Sequence, residues 1–382
     1  MELTAAAIGV AVALSVLLLL STAVNSAEDF IAASNLRRKS PTAGLCADVI
    51  EPSGFPCSEH TTQTNDGFVL GLQRVSSPSV TVRQRGSPVL LIHGLLMAGD
   101  AWFMDSPDQS LGFILANRGF DVWVGNVRGT RWSHGHKSLS ERDKKFWDWS
   151  WQELALFDLG EMIRYIYSVT NSKVLVVGHS QGTIMSLAAL TQPDIAKMVE
   201  AAALLCPISY LEHVTAPFVL RLVKMRLDEV CSVPSGYSCL EMFLVILKTV
   251  ILSSNLGTSI MDMMCDGHMD CADMLYSITV IREGTFAMYD YGMWKNLMYY
   301  SQPKPPTRLI SAPFEFIANM DGIWGNDALA DISDVKHTLK ELPSKPDLLY
   351  LENYGHIDFL LSVKRRKMFM TVCLHFLPPG NI

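Results

Sequence analysis

The chain has 382 residues, of which 49% are hydrophobic, 9% aromatic and only 18% charged. That balance excludes a disordered chain, and 25 glycines and 18 prolines without a period exclude a collagen-like or low-complexity one. A formal net charge of −7 argues against a bulk nucleic-acid binder, whose surface has to displace counterions from phosphates.

The N-terminal stretch reads as a separate piece. Residues 3–27 carry no charged side chain, Ala5 to Leu20 is almost wholly apolar, and the run ends in Thr22-Ala23-Val24-Asn25-Ser26-Ala27. An apolar run followed by small residues predicts a signal peptide over residues 1–27, although the usual basic start is missing. An uncleaved membrane anchor is the alternative, and the span is barely long enough for one. Entry into an oxidising compartment turns the eight cysteines into disulfide candidates. Cys46 and Cys57 flank Pro52-Ser53-Gly54 and are placed to staple that turn, whereas Cys206, closing the apolar Ala201–Leu205 run, predicts a buried thiol. Cys231, Cys239, Cys265 and Cys271 cluster further on. Cys265-Asp266-Gly267-His268-Met269-Asp270-Cys271 offers metal-ligand types but no fourth ligand at short spacing, so no metal is expected.

Three short apolar runs end in glycine: Pro88-Val89-Leu90-Leu91-Ile92 before His93-Gly94, Phe120-Asp121-Val122-Trp123-Val124 before Gly125, and Val174-Leu175-Val176-Val177 before Gly178. Such runs predict strands buried on both faces. Helical texture lies between them, over Asp108–Ala116, Trp151–Tyr167 and Thr183–Leu190. Alternating strands and helices predict an α/β fold with a mostly parallel central sheet and helices on both faces.

Gly178-His179-Ser180-Gln181-Gly182 stands where the third strand runs straight into a helix. A sharp strand-to-helix turn exposes a serine hydroxyl, and the flanking glycines leave room for neighbouring elements. A serine hydroxyl needs a base, and the base needs a carboxylate to orient it. In this arrangement the acid and then the histidine follow the serine in the chain, leaving His337, His356 and His375. His337 falls on a solvated helix face within Val335–Leu342 and His375 in an apolar tail. His356 stands in a loop after Leu348-Leu349-Tyr350-Leu351, so it is the candidate base. Asp327, after Gly325, is the candidate acid, with Asp321 as runner-up and Asp331 read as a helix-end cap. Backbone amides of Gln181 and Leu95 are the candidate oxyanion donors, and His93 is expected to fix the Leu95 loop by hydrogen bonds.

The segments Leu90–Leu96, Asp121–Thr130, Phe146–Trp151, Gly178–Gly182, Asp327–Asp331 and Tyr354–Phe359 together resemble the acid lipase family, the animal gastric and lysosomal lipases and their plant triacylglycerol-lipase relatives. The resemblance runs from about Cys46 to about Lys364. It implies an α/β-hydrolase core carrying an inserted helical cap, and hydrolysis of lipid esters at a lipid–water interface through Ser180, Asp327 and His356 with no cofactor. It implies neither a nucleic-acid nor a stable protein partner, and it fits a secreted, vacuolar or lysosomal protein. The division it implies is an N-terminal segment over 28–85, the first part of the core over 86–210, a cap over 211–300 and the second part over 301–382.

Three segments depart from the family pattern. The cap is shortened after Ser277-Ile278-Thr279, and Phe316–Gly325 replaces an apolar strand that ends in two glycines. Arg365-Arg366-Lys367-Met368-Phe369-Met370 replaces an amphipathic helix. Acylglycerols are the leading substrate class that the resemblance implies, with steryl or other fatty esters as an alternative because the cap that decides between them is altered. A catalytically impaired lipid-binding paralogue is the reading from another class, because the cap is altered and the second departure weakens the strand expected to carry Asp327.

Overall fold

A computed structural model of the chain describes residues 44–79, 85–95, 97–215, 220, 293–304, 318–324, 327, 329–342, 346, 348–351 and 356. The expected signal peptide, Cys231, Cys239, Cys265, Cys271, His375, the 365–370 segment and most of the expected cap over 211–300 lie outside these residues.

The described strands are β1 (Cys57–Gln63), β2 (Phe68–Val75), β3 (Pro88–Ile92), β4 (Asp121–Gly125), β5 (Gly135–His136), β6 (Val174–His179), β7 (Val199–Leu205), β8 (Ala318–Trp324) and β9 (Leu348–Leu351). They form one sheet in the order β1-β2-β4-β3-β6-β7-β8-β9, with β5 alongside β2. β2 pairs antiparallel with β1 and β4, and every neighbouring pair from β4 through β9 is parallel.

The parallel strands are apolar throughout because both faces are covered. Leu90 and Ile92 of β3 and Val174 and Val176 of β6 point into one core, while Val89, Leu91, Leu175 and Val177 point into the other. Helices α1 (Leu111–Asn117), α2 (Gly160–Thr170) and α3 (Gln181–Ala189) supply the covering faces. Met162, Ile163 and Ile166 of α2 and Ile184, Met185 and Leu187 of α3 fill the first core, and Phe113 and Leu115 of α1 fill the second. Further described helices are α4 (Pro193–Ala196), α5 (Met293–Tyr300) and α6 (Ile332–Glu341). Among the described residues no helix is long and apolar enough to cross a membrane.

Two devices fix the β4 side. Ser150 caps the short helix Trp151–Glu153 in a reciprocal capping box with Glu153. The chain then widens into a π-helical segment, Leu154–Leu159, before α2. That segment carries Asp158 inward to Arg128, whose guanidinium meets Asp158 Oδ1 and Asp66 Oδ2 at 2.6 Å each and lies 3.9 Å from the centre of the Phe68 ring. Burial alone would loosen the Arg128 proton, but the two carboxylates reverse this and hold it more tightly than water does. At the other end of β1, Cys46 and Cys57 form a disulfide, and Cys206 is a buried thiol.

The Phe316–Gly325 departure has not cost the sheet a strand. Ala318–Trp324 pairs with β7 through Ala202 and Ala203 and with β9 from Met320 to Trp324, with a register shift between Asp321 and Ile323.

Candidate active site

Ser180 sits between the end of β6 and the start of α3, at φ 53° and ψ −116°. This left-handed φ costs free energy for any residue with a Cβ, and it persists because the surroundings over-determine the turn. A Cβ on Gly178 would lie 2.6 Å from the Gly182 carbonyl oxygen, and one on Gly182 would lie 2.6 Å from that of Ile92. The Ser180 amide donates to the Leu205 carbonyl at 3.0 Å, and the Ser180 carbonyl accepts from the Thr183 amide at 2.8 Å.

Two more side chains complete the arrangement. The Ser180 hydroxyl donates to His356 Nε2 at 2.7 Å, and His356 Nδ1–H donates to Asp327 Oδ2 at 2.9 Å. Asp327 Oδ1 accepts the Leu329 and Ala330 amides, each at 2.8 Å. Burial alone would favour the neutral acid. The hydrogen bond and charge of His356, with the two amides, outweigh that and hold the Asp327 carboxyl below the ordinary carboxylate range.

His93 is buried and serves its own loop. Its Nδ1–H donates to the Gly94 carbonyl at 2.8 Å, and its Nε2 accepts the Val127 amide at 3.4 Å. Burial lowers its pKa to about 4, so it stays neutral. Leu95 follows Gly94, where a Cβ would lie 3.1 Å from Ser180 Cβ, and Gln181 opens α3. Both candidate oxyanion donors therefore belong to segments beside the serine.

The remaining sequence candidates stand elsewhere. Asp331 caps the start of α6, accepting the Ser333 amide at 2.7 Å, so it opens a helix where it was expected to sit at the end of one beginning near Asp327. Asp321 lies within β8. His337 is half-exposed on α6, stacked on Tyr210 and 3.5 Å from Glu341. Two residues that the sequence reading passed over as site residues do reach the site. His179 Nε2–H donates to the His356 carbonyl at 3.2 Å, and the Cys206 thiol approaches the same oxygen at 3.6 Å. Their only sequence signal is adjacency, His179 to the serine and Cys206 to the end of β7.

Among the described residues, two groups bring three metal-ligating side chains within 4.8 Å: Cys206, Asp327 and His356, and Glu212, His213 and Asp334. In each, the imidazole Nδ1 and the aspartate share a hydrogen bond, at 2.9 Å for His356 with Asp327 and 2.7 Å for His213 with Asp334.

Residues 46–106 match the family described as the partial alpha/beta-hydrolase lipase region, and residues 87–227 match the alpha/beta hydrolase fold. The chain is 53% identical over 361 residues to triacylglycerol lipase 1 of Arabidopsis thaliana, a match covering 86% of this chain and 89% of that one. The chain belongs to the acid lipase family of α/β hydrolases. Its similarity extends to the lysosomal acid lipase/cholesteryl ester hydrolase of Rattus norvegicus, 32% identical over 349 residues, 82% of this chain and 86% of that one. Among solved structures, DcsB in complex with a substrate analogue superposes with a TM-score of 0.52 at 13% identity, over 83% of this chain and 97% of that one. At that identity the likeness concerns the fold, which this acid lipase shares in its mostly parallel sheet and flanking helices.

Proposed function

We propose that the chain is a serine carboxylic ester hydrolase, a lipase that cleaves acylglycerol fatty esters with Ser180 as nucleophile, His356 as base and Asp327 as orienting acid. The observation that carries this reading is the unbroken run of hydrogen bonds from Ser180 Oγ to His356 Nε2 at 2.7 Å and from His356 Nδ1 to Asp327 Oδ2 at 2.9 Å. Because Nδ1 holds its proton against the carboxylate, Nε2 is left as the lone pair facing the hydroxyl.

As Ser180 Oγ bonds to the ester carbonyl carbon, its proton passes to His356 Nε2 and the carbonyl π pair moves onto oxygen. The Leu95 and Gln181 amides stabilise that oxyanion. Collapse breaks the bond to the alcohol, which leaves with the proton from Nε2, and the acyl group stays on Ser180. Water then bonds to the acyl carbon as its proton passes to Nε2, and collapse breaks the bond to Ser180 Oγ, which takes the proton back from Nε2 as the fatty acid is released. Asp327 stays ionised throughout, and its charge favours the imidazolium formed in each half.

The substrate class rests on kinship with relatives named for triacylglycerol and cholesteryl ester hydrolysis, and steryl esters are the second reading because one such relative carries that activity in its name. The division into a core interrupted by a cap over 211–300 belongs to the same proposal, with that segment taking the acyl chains. The Cys46–Cys57 disulfide supports passage through the secretory route. Labelling with a fluorophosphonate, mapped by mass spectrometry, tests the nucleophile: Ser180 is modified in the wild-type chain and no serine is modified in Ser180→Ala. A folded wild-type chain that stays unlabelled sinks the reading. Rates on emulsified triacylglycerol against a steryl ester then separate the two substrate classes.

A further inference from the structure

We propose that His179 and Cys206 are positioning residues that together hold the backbone carbonyl of His356, fixing the imidazole over Ser180. The inference rests on the reading of Ser180, His356 and Asp327 given above. The two hydrogen bonds of the imidazole, to Ser180 and Asp327, align its ends but leave the backbone beneath it to be held by something else. Two donors converge on that backbone, His179 Nε2–H at 3.2 Å and the Cys206 thiol at 3.6 Å.

Their origins explain why they suit the task. His179 is the last residue of β6 and directly precedes Ser180, while Cys206 directly follows β7, whose Leu205 carbonyl accepts the Ser180 amide. Nucleophile and base are thus tied to the same two strand ends. Both side chains are buried, and the His179 ring is wedged between His356, 5.3 Å away between ring centres, and Gly94, where a Cβ would approach Nδ1 to 3.0 Å. Cys206 is held at φ 51°, a backbone conformation that costs free energy for a non-glycine residue and that the surrounding contacts must impose.

The chemistry of the donor matters as well as its place. Burial, helped by the neighbouring His356, lowers the His179 pKa to about 3, so the ring remains neutral and keeps a single proton on Nε2. A neutral donor holds the carbonyl without placing a second positive charge beside the imidazolium that forms on His356 during turnover.

The test compares variants of the full chain on a short soluble ester, with thermal unfolding recorded for each. His179→Leu removes the donor and is expected to lower kcat by about 10- to 100-fold, with KM unchanged, the scale of a misplaced reacting group. Fluorophosphonate labelling of Ser180 slows in step. His179→Gln, whose amide N–H reaches about as far as Nε2–H, recovers most of the loss, which a role in packing alone would not give. Cys206→Ser, keeping a donor, exceeds Cys206→Ala in kcat. Wild-type labelling rates in a folded His179→Leu overturn the proposal, as does equal damage from Leu and Gln at equal stability. If His179→Leu does not fold, equal kcat for Cys206→Ser and Cys206→Ala overturns it. A folded wild-type chain without labelling at Ser180 overturns the triad reading instead, which keeps the two failures apart.

Discussion

The strand ends that carry Ser180 and those that carry Asp327 and His356 are built on different terms. Around the serine, β3, β6 and β7 run in register over most of their length, and both faces are packed with Val, Leu and Ile and, on β7, with Ala as well. The turn is then set by backbone contact, since neither Gly178 nor Gly182 has room for a Cβ. On the acid and base side, β8 meets β7 through Ala202 and Ala203 and shifts register against β9. Placement there falls to directed polar contacts: amides on Asp327 and donors on the His356 carbonyl. A nucleophile held by packing tolerates changes in surface chemistry, whereas an acid and base held by hydrogen bonds are sensitive to single atoms.

The largest expected effect changes one such atom. In Asp327→Asn the side-chain oxygen must occupy the place of Oδ1, because two backbone N–H groups point at it. The amide NH2 then faces His356 Nδ1, which must become an acceptor, and the imidazole proton moves to Nε2. That tautomer cannot accept the Ser180 proton. We expect kcat to fall by about 10⁴-fold with the thermal midpoint changed little, as measured by ester hydrolysis and calorimetry. A loss of less than about tenfold, a scale small against general-base catalysis, would break the contrast drawn between the two sides.

The opposite side is probed through stability. Arg128 and Asp158 both have fully buried side chains, and the Arg128 backbone amide also donates to Asp158 at 2.8 Å. Arg128→Ala strands the Asp158 charge in the first core, which costs about 3–5 kcal/mol for a buried pair broken on one side. Urea unfolding should show this loss, while Ser180 in the fraction still folded is labelled at the wild-type rate. Equal stability would mean that Asp158 simply takes up a proton and that the pair is dispensable.

The same contrast governs what the sequence discloses. β3 and β9 are legible as apolar runs, and the turn at Ser180 is legible because a strand, a Gly-flanked serine and a helix follow one another directly. β1 is not, since Cys57-Ser58-Glu59-His60-Thr61-Thr62-Gln63 is polar and becomes a strand only by pairing with β2 at the sheet edge. β7 reads as an apolar run without a direction until β6 and β8 flank it. Asp331 was readable as a cap but not as the start of α6, because Asp327 accepts the amides two and three residues on just as a helix cap does, although the helix opens only at Ile332. His179 and Cys206 stand 177 and 150 residues from His356, and nothing local in their sequence announces that contact.

The smallest expected effect concerns the seam between the two sides. The segment after β7 is bound to α6, which lies in the chain between Asp327 and His356, through a Ser209–Thr338 hydroxyl contact, Tyr210 with Glu341, and His213 with Asp334. Of these only the last changes charge near neutral pH. The Asp334 hydrogen bond, then its charge, raise the His213 pKa above its ordinary 6.5, with Glu212 and Asp331 adding to the pull. A histidine whose folded pKa is raised contributes stability in full below its unfolded value and loses it as pH rises through the folded one. His213 is half-exposed, so solvent screens the pair and the contribution is small. His213→Gln should therefore lower the thermal midpoint at about pH 5 and leave it nearly unchanged at about pH 9. A deficit of the same size at both pH values would assign the contact to packing and remove charge from the seam.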